Sequence, residues 1–301
     1  MTSSAFEGAR TVKVNGTSLA YCEQGEGEPV LFVHGGTADL RVWADQLPAV
    51  GRSCRAISYS QRYSRPNEAI APGTANPFDP HVEDLAALIR EIGAAPVHLV
   101  GSSSGAFIAL LAAIRHPELV RSLVLGEPPA LTLFAGTPPR ATELLKLLAT
   151  RPRTAIAIMQ FAFGTMIPTT RAFRRGDDED ALRIFLVGVL GKQTVSQLSA
   201  QTMQVLRDNI STLRGALLHD DTGFPPLADD DVRGVRVPVL LVTGVRSPAV
   251  FSCLTDRLEE LLPLAERVEI PGASHVMFME NAPAFNEAVL AFLRGQQDDR
   301  T

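Results

Sequence analysis

Gly101-Ser102-Ser103-Ser104-Gly105 stands between the apolar run Val97-His98-Leu99-Val100 and the helical pattern Ala106-Phe107-Ile108-Ala109-Leu110-Leu111. No other stretch constrains the fold as strongly. A strand, a Gly-x-Ser-x-Gly turn and a helix, in that order, lift the central hydroxyl above the carboxyl edge of a sheet. The flanking glycines suit a turn where strand and helix pack so closely that a β-carbon would collide. Ser103 is therefore the candidate nucleophile; Ser102 and Ser104 do not fit the register.

The remaining chain supplies the sheet that such a turn needs. Residues 11–14, the Asn15-Gly16 turn and residues 18–22 read as a β-hairpin. The continuous apolar run at 29–33 suits a strand buried on both faces. Further strands are expected at 55–59, 97–100, 122–125, 239–242 and 267–270, with helices at 81–92, 104–114 and about 282–293. Strands alternating with helices behind an opening hairpin predict an α/β fold. Its sheet is expected to be eight-stranded and mostly parallel, with helices on both faces.

Residues 130–236 break that rhythm, with helical patterns but no convincing strand. Pro/Gly joints fall at Gly136-Thr137-Pro138-Pro139 and Gly223-Phe224-Pro225-Pro226. The expected organisation is a core of residues 1–129 and 237–301, with 130–236 as a helical cap over the carboxyl edge. The charge run from Arg174 to Asp180 reads as a solvated cap loop.

Composition narrows the class. A chain of 301 residues, 46% hydrophobic and 20% charged, has ample material for a large core. Its net charge of −5, with scattered arginines, gives no nucleic-acid footprint. No apolar run has membrane length, and residues 1–10 lack the apolar centre of a secretory signal. Cys22, Cys54 and Cys253 are odd in number and widely scattered, which suits neither a disulfide framework nor a metal site. No Gly-x-Gly-x-x-Gly follows a strand, so no cofactor is expected. These features predict a cytoplasmic protein without metal, membrane or nucleic-acid partners; its oligomeric state, homodimer included, stays open.

Four features together resemble the α/β-hydrolase superfamily: His34-Gly35-Gly36 after the third strand, the turn at Ser103, Glu127 after the sixth strand, and Gly272-Ala273-Ser274-His275 after the last. The resemblance covers the whole chain except the detailed sequence of the cap. It implies Ser103 as nucleophile, which needs a base to remove its proton. His275 is that base, returned by its loop to the same sheet edge. Backbone amides of Gly35, Gly36 and Ser104 are the expected oxyanion hole. The resemblance makes His34 a buttress of that loop and Arg62 a tie between loops. His81, His98, His116 and His219 have no comparable setting and read as structural.

The acid departs from the family's commonest pattern, a Gly-x-x-Asp turn after the seventh strand. Here the turn is Gly244-Val245-Arg246-Ser247, and a neutral hydroxyl cannot stabilise an imidazolium as a carboxylate does. Asp256, the nearest later carboxylate, falls within a helical pattern. Glu127, in Leu125-Gly126-Glu127-Pro128-Pro129, is therefore the expected acid, as in zearalenone-type lactonases and a group of haloalkane dehalogenases. The order Ser, Glu, His is retained.

Phe134, Phe161 and Phe163 of the cap, with Trp43, are candidate pocket residues; for Trp43, helix packing is the favoured reading beside the pocket one. Apolar helices over the site favour a hydrophobic small-molecule ester or lactone. A serine hydrolase acting through a Ser-His-Glu triad and an acyl-enzyme is the expectation. Perhydrolysis and C–C bond hydrolysis would use the same machinery, and the neutral Ser247 leaves room for a non-hydrolytic, ligand-binding member. Serine at the turn argues against epoxide hydrolase or dehalogenase chemistry.

Overall fold

The computed structural model describes residues 8–136, 140–219 and 223–298. Eight strands form one sheet: β1 (Arg10–Val14), β2 (Thr17–Gln24), β3 (Pro29–Val33), β4 (Arg55–Tyr59), β5 (Val97–Ser102), β6 (Val120–Gly126), β7 (Val239–Gly244) and β8 (Ala265–Ile270). Their order is β1-β2-β4-β3-β5-β6-β7-β8. The hairpin pair β1-β2 and the pair β2-β4 are antiparallel; every other neighbouring pair is parallel. Asn15 and Gly16 turn the hairpin with φ of 43° and 75°, the left-handed geometry a two-residue turn requires.

Register is what builds the site. Val33 faces Gly101, Ser102 faces Gly126, Gly126 faces Val242, and Gly244 faces Ile270. The ends of β3, β5, β6, β7 and β8 are thus nearly level. Residues just beyond them, distant in sequence, emerge along a single edge.

Both sheet faces are covered. Helices Phe78–Glu91 and Ser104–Arg115 bury Leu85, Leu88, Phe107 and Leu111 against one face. Helix Ala282–Asp298 lays Phe285, Val289 and Phe292 on the other, beside Trp43 and Phe278. No helix among the described residues is long and apolar enough to cross a membrane.

Between β6 and β7 the described residues form helices and no strand, the larger ones being Ala141–Thr150, Pro152–Phe161, Ile167–Arg174, Asp178–Leu190, Ala200–Asp208 and Ile210–Leu217. Residues 137–139, part of the first expected joint, lie outside the described residues. The charge run ends in structure where a loop was expected. Asp177 caps helix Asp178–Leu190 by accepting from the Asp180 amide at 3.0 Å, and its acidic first turn complements the helix dipole. Leu182, Leu186 and Val189 of that helix pack on Val250, Phe251 and Leu254, joining the helical segment to the helix after β7. A polar tie does the same beside β3. Buried Asp39 accepts from Arg41 Nη2 and from Asn209 Nδ2, each at 2.7 Å.

Candidate active site

Ser103 lies between β5 and helix Ser104–Arg115 with φ 54° and ψ −127°, a conformation that costs about 1–3 kcal/mol in an ordinary residue. Neighbouring backbone holds it there. The Ser103 amide donates to Gly126 O at 2.8 Å, and its carbonyl accepts from the Phe107 amide at 3.1 Å. The need for the two glycines is steric. A β-carbon on Gly105 would lie 2.2 Å from Val33 O, and one on Gly101 would lie 2.5 Å from Ala106 Cα.

Glu127, one residue beyond β6, also has a left-handed backbone, with φ 48°, and is buried. Its amide donates to Val242 O at 3.2 Å. Its Oε1 accepts from the Gly244 amide at 2.9 Å, and its Oε2 meets His275 Nδ1 at 2.6 Å. A carboxylate accepting on both oxygens keeps the imidazole proton on Nδ1. Nε2 is then a lone pair; it is buried and has no hydrogen-bond partner among the described residues. His275, Ser103, Gly35 and Gly36 line one recess.

Two further contacts orient the imidazole. Phe251 stacks on it with ring centroids 3.9 Å apart and planes 22° from parallel, and Phe161 meets Phe251 edge-on at 5.8 Å. Glu280 ties down the loop: Oε2 accepts from Ser274 N and Ser274 Oγ at 2.6 Å each, while Oε1 accepts from Arg246 Nη2 at 2.8 Å and Thr194 Oγ1 at 2.9 Å. Neither Phe251 nor Glu280 carries a sequence signal, since each looks like an ordinary helix residue.

Gly35 and Gly36 lie against the serine turn. A β-carbon on Gly35 would come 3.2 Å from Ser103 Cβ. Ser104 opens its helix, where first-turn amides lack intrahelical acceptors. His34 is buried between two loops. Its Nε2 accepts from the Gln61 amide at 3.0 Å, which leaves Nδ1–H to donate to Gly35 O at 2.8 Å. Burial lowers its pKa and keeps it neutral.

Positions that the sequence sets aside, and some it leaves open for the pocket, lie outside the site. Ser247 Oγ is buried without a hydrogen-bond partner among the described residues, and Asp256 pairs with Arg267 at 2.7 Å. Trp43 is not a pocket residue: it is fully buried among Phe32, Phe278 and Phe285 on the face of the sheet that helix Ala282–Asp298 covers. Phe134 packs on the cluster that contains Leu186 and Leu254, and Phe163 is 69% exposed. An aromatic residue in a helical pattern does not reveal which face it occupies, so only Phe161 of the four lines the cavity.

That cavity, about 160 Å³, is shared by Ser103, Ser104, Gly35 and Gly36 with Phe161, Met166, Phe185 and Leu213 of the helical segment. A single water needs roughly 10–15 Å³, so a larger occupant fits. Its wall also includes Gln61, Arg62, Asn76 and His81. Arg62 grips Asp84 through Nε and Nη2 at 2.6 and 2.7 Å, a tie between the loop after β4 and helix Phe78–Glu91. His81, expected to be structural, is a cavity residue, whereas His98 bonds Ser122 Oγ at 2.7 Å and His116 bonds Glu83 at 3.1 Å.

A family model described as alpha/beta hydrolase fold matches residues 28–282. The chain is 27% identical over 278 residues to the 2-(acetamidomethylene)succinate hydrolase of Mesorhizobium japonicum, covering 89% of this chain and 88% of that one. It is 23% identical over 283 residues to a non-heme haloperoxidase of Rhodococcus erythropolis, covering 93% and 97%. The structure of the enol-lactonase from Burkholderia xenovorans LB400 superposes with a TM-score of 0.71 at 19% identity, covering 95% of this chain and 100% of that one.

Proposed function

This chain belongs to the alpha/beta hydrolase family, and from that premise we propose that it hydrolyses a carboxylic ester or lactone of a hydrophobic small molecule. The observation that carries the proposal is the 2.6 Å bond between Glu127 and His275 Nδ1, with an unpartnered Nε2 in the recess that Ser103 lines. In this reading Nε2 takes the Ser103 proton as Oγ attacks the carbonyl carbon. Glu127 stabilises the imidazolium that forms. Amides of Gly35, Gly36 and Ser104 stabilise the tetrahedral oxyanion, where losing one donor costs about 10²–10³ in rate. His275 then protonates the leaving alkoxide, and water activated by the same imidazole resolves the acyl-enzyme.

Residues 130–236 act as the cap, and their apolar side chains in the cavity support a hydrophobic substrate over a charged one. The likeness to a haloperoxidase favours a second outcome on the same acyl-enzyme, attack by hydrogen peroxide in place of water. Cys22, Cys54 and Cys253 are free thiols, which supports a reducing, cytoplasmic setting.

The test is turnover of p-nitrophenyl acetate and butyrate beside labelling with a fluorophosphonate. The reading expects turnover, one adduct on Ser103, and loss of both in Ser103→Ala. Folded protein showing neither would favour the ligand-binding alternative.

A further inference from the structure

His81 is 7% exposed and faces the shared cavity from helix Phe78–Glu91. Its hydrogen bonding is determined by its neighbour. Asn76 Nδ2 donates to Thr212 O at 3.1 Å, and a carbonyl can only accept. The Asn76 amide is thereby oriented with Oδ1 toward His81 Nε2, 2.8 Å away. Nε2 must carry the proton, so Nδ1 is a bare lone pair. That lone pair is buried and has no hydrogen-bond partner among the described residues, a condition rare in folded proteins. Burial, reinforced by the nearby Arg62 and His34, lowers the imidazole to about 3, so Nδ1 stays unprotonated at neutral pH.

The polar groups beside it direct part of their donor capacity at other partners, and none of them donates to Nδ1. Arg62 points Nε and Nη2 at Asp84, and Gln61 donates Nε2 to His34 O. Thr212 Oγ1 donates to Asn209 O at 2.7 Å. Ser64 contributes a hydroxyl able to donate or accept. Among the described residues that line this cavity, the buried side-chain polar atom left without a partner is this acceptor. A carboxylate or phosphate would bring more acceptors; a hydroxyl or N–H would bring what is missing.

We infer that His81 Nδ1, beside Asn76 and Gln61, forms a subsite that accepts a hydrogen bond from a hydroxyl or N–H group on an otherwise apolar ligand. The inference rests on the proposed hydrolase reading for the ligand's other end, and defines the substrate as an ester or lactone bearing a donor group. A site shaped to bond a donor discriminates against analogues that lack one, because its own group is then left unpaired.

The test is calorimetric binding to Ser103→Ala of ethyl ω-hydroxyhexanoate and ω-hydroxyoctanoate, against their methyl ethers and the unsubstituted esters. At least one hydroxy ester should bind about tenfold tighter than both controls, and the ratio should fall to near one in Ser103→Ala/His81→Phe. Should that double variant not fold, Ser103→Ala/Asn76→Leu frees Nε2–H, unfixes the tautomer, and should collapse the same ratio. Equal binding of hydroxy esters and controls overturns the subsite, as does a preference that survives both substitutions. Turnover of the same esters by the unaltered chain reports on the hydrolase reading separately. Tight, hydroxyl-dependent binding without turnover would sink that reading and leave the subsite standing.

Discussion

Adjacent strands β6 and β7 end level with each other, yet the turns beyond them are chemically opposite. Beyond β6, Glu127 adopts a left-handed backbone and buries a carboxylate against His275. Beyond β7, where the family's commonest pattern has an aspartate, Ser247 buries a hydroxyl without a partner among the described residues. The β7 turn still takes part, because the Gly244 amide donates to the Glu127 carboxylate. One strand end supplies the charge and its neighbour supplies a dipole that holds it. A carboxylate can therefore move between strand ends while the imidazole it orients stays in place.

The sharpest way to break this comparison is to remove the charge beyond β6. Glu127→Gln should lower kcat on p-nitrophenyl butyrate by about 10³–10⁴, because the amide no longer enforces the productive tautomer. Circular dichroism should be unchanged. Wild-type turnover would remove Glu127 from the mechanism. Gly244→Ala keeps the amide that donates to Glu127 and tests the packing around it: its β-carbon would lie 2.3 Å from Ser274 O, so the His275 loop must shift. Activity should fall at least about 10²-fold, with a lower Tm. An unchanged Tm and rate would mean the β7 end does not constrain the His275 loop.

Phe251→Leu sharpens the picture from the side, since it keeps apolar bulk but removes the stack on the imidazole. An aromatic contact of this type is worth about 0.5–1.5 kcal/mol, so kcat should fall by up to about tenfold while KM for small esters changes little. The smallest effect is expected beyond β7. Ser247→Ala should leave kcat within about twofold and stability equal or higher by up to about 1 kcal/mol, since it deletes an unbonded buried hydroxyl. A large loss of activity there would shift the acid's work to the β7 turn.

Much of this arrangement is legible in the sequence because its signals are local. The hairpin turn, the Gly-x-Ser-x-Gly turn and the apolar runs each depend on a few adjacent residues, and all eight strands follow from them. Glu127 is reached by a different route: the family's commonest acid position holds Ser247 here, and the other position the resemblance offers, the end of the sixth strand, holds Glu127. What stays hidden depends on which way a helix faces. Trp43 under the sheet, exposed Phe163 and cavity-lining Phe161 have similar sequence surroundings, and only packing separates them. His81 is hidden for the same reason, since helical spacing alone makes a cavity residue look like a core residue.

Protonation of the two His275 ring nitrogens, read by ¹⁵N NMR at neutral pH, tests the account most directly. The arrangement predicts a proton on Nδ1, shared with Glu127, and a bare Nε2, with the two tautomers mixed in Glu127→Gln. A proton resident on Nε2 in the unaltered protein would contradict it, because the imidazole could then take nothing from Ser103.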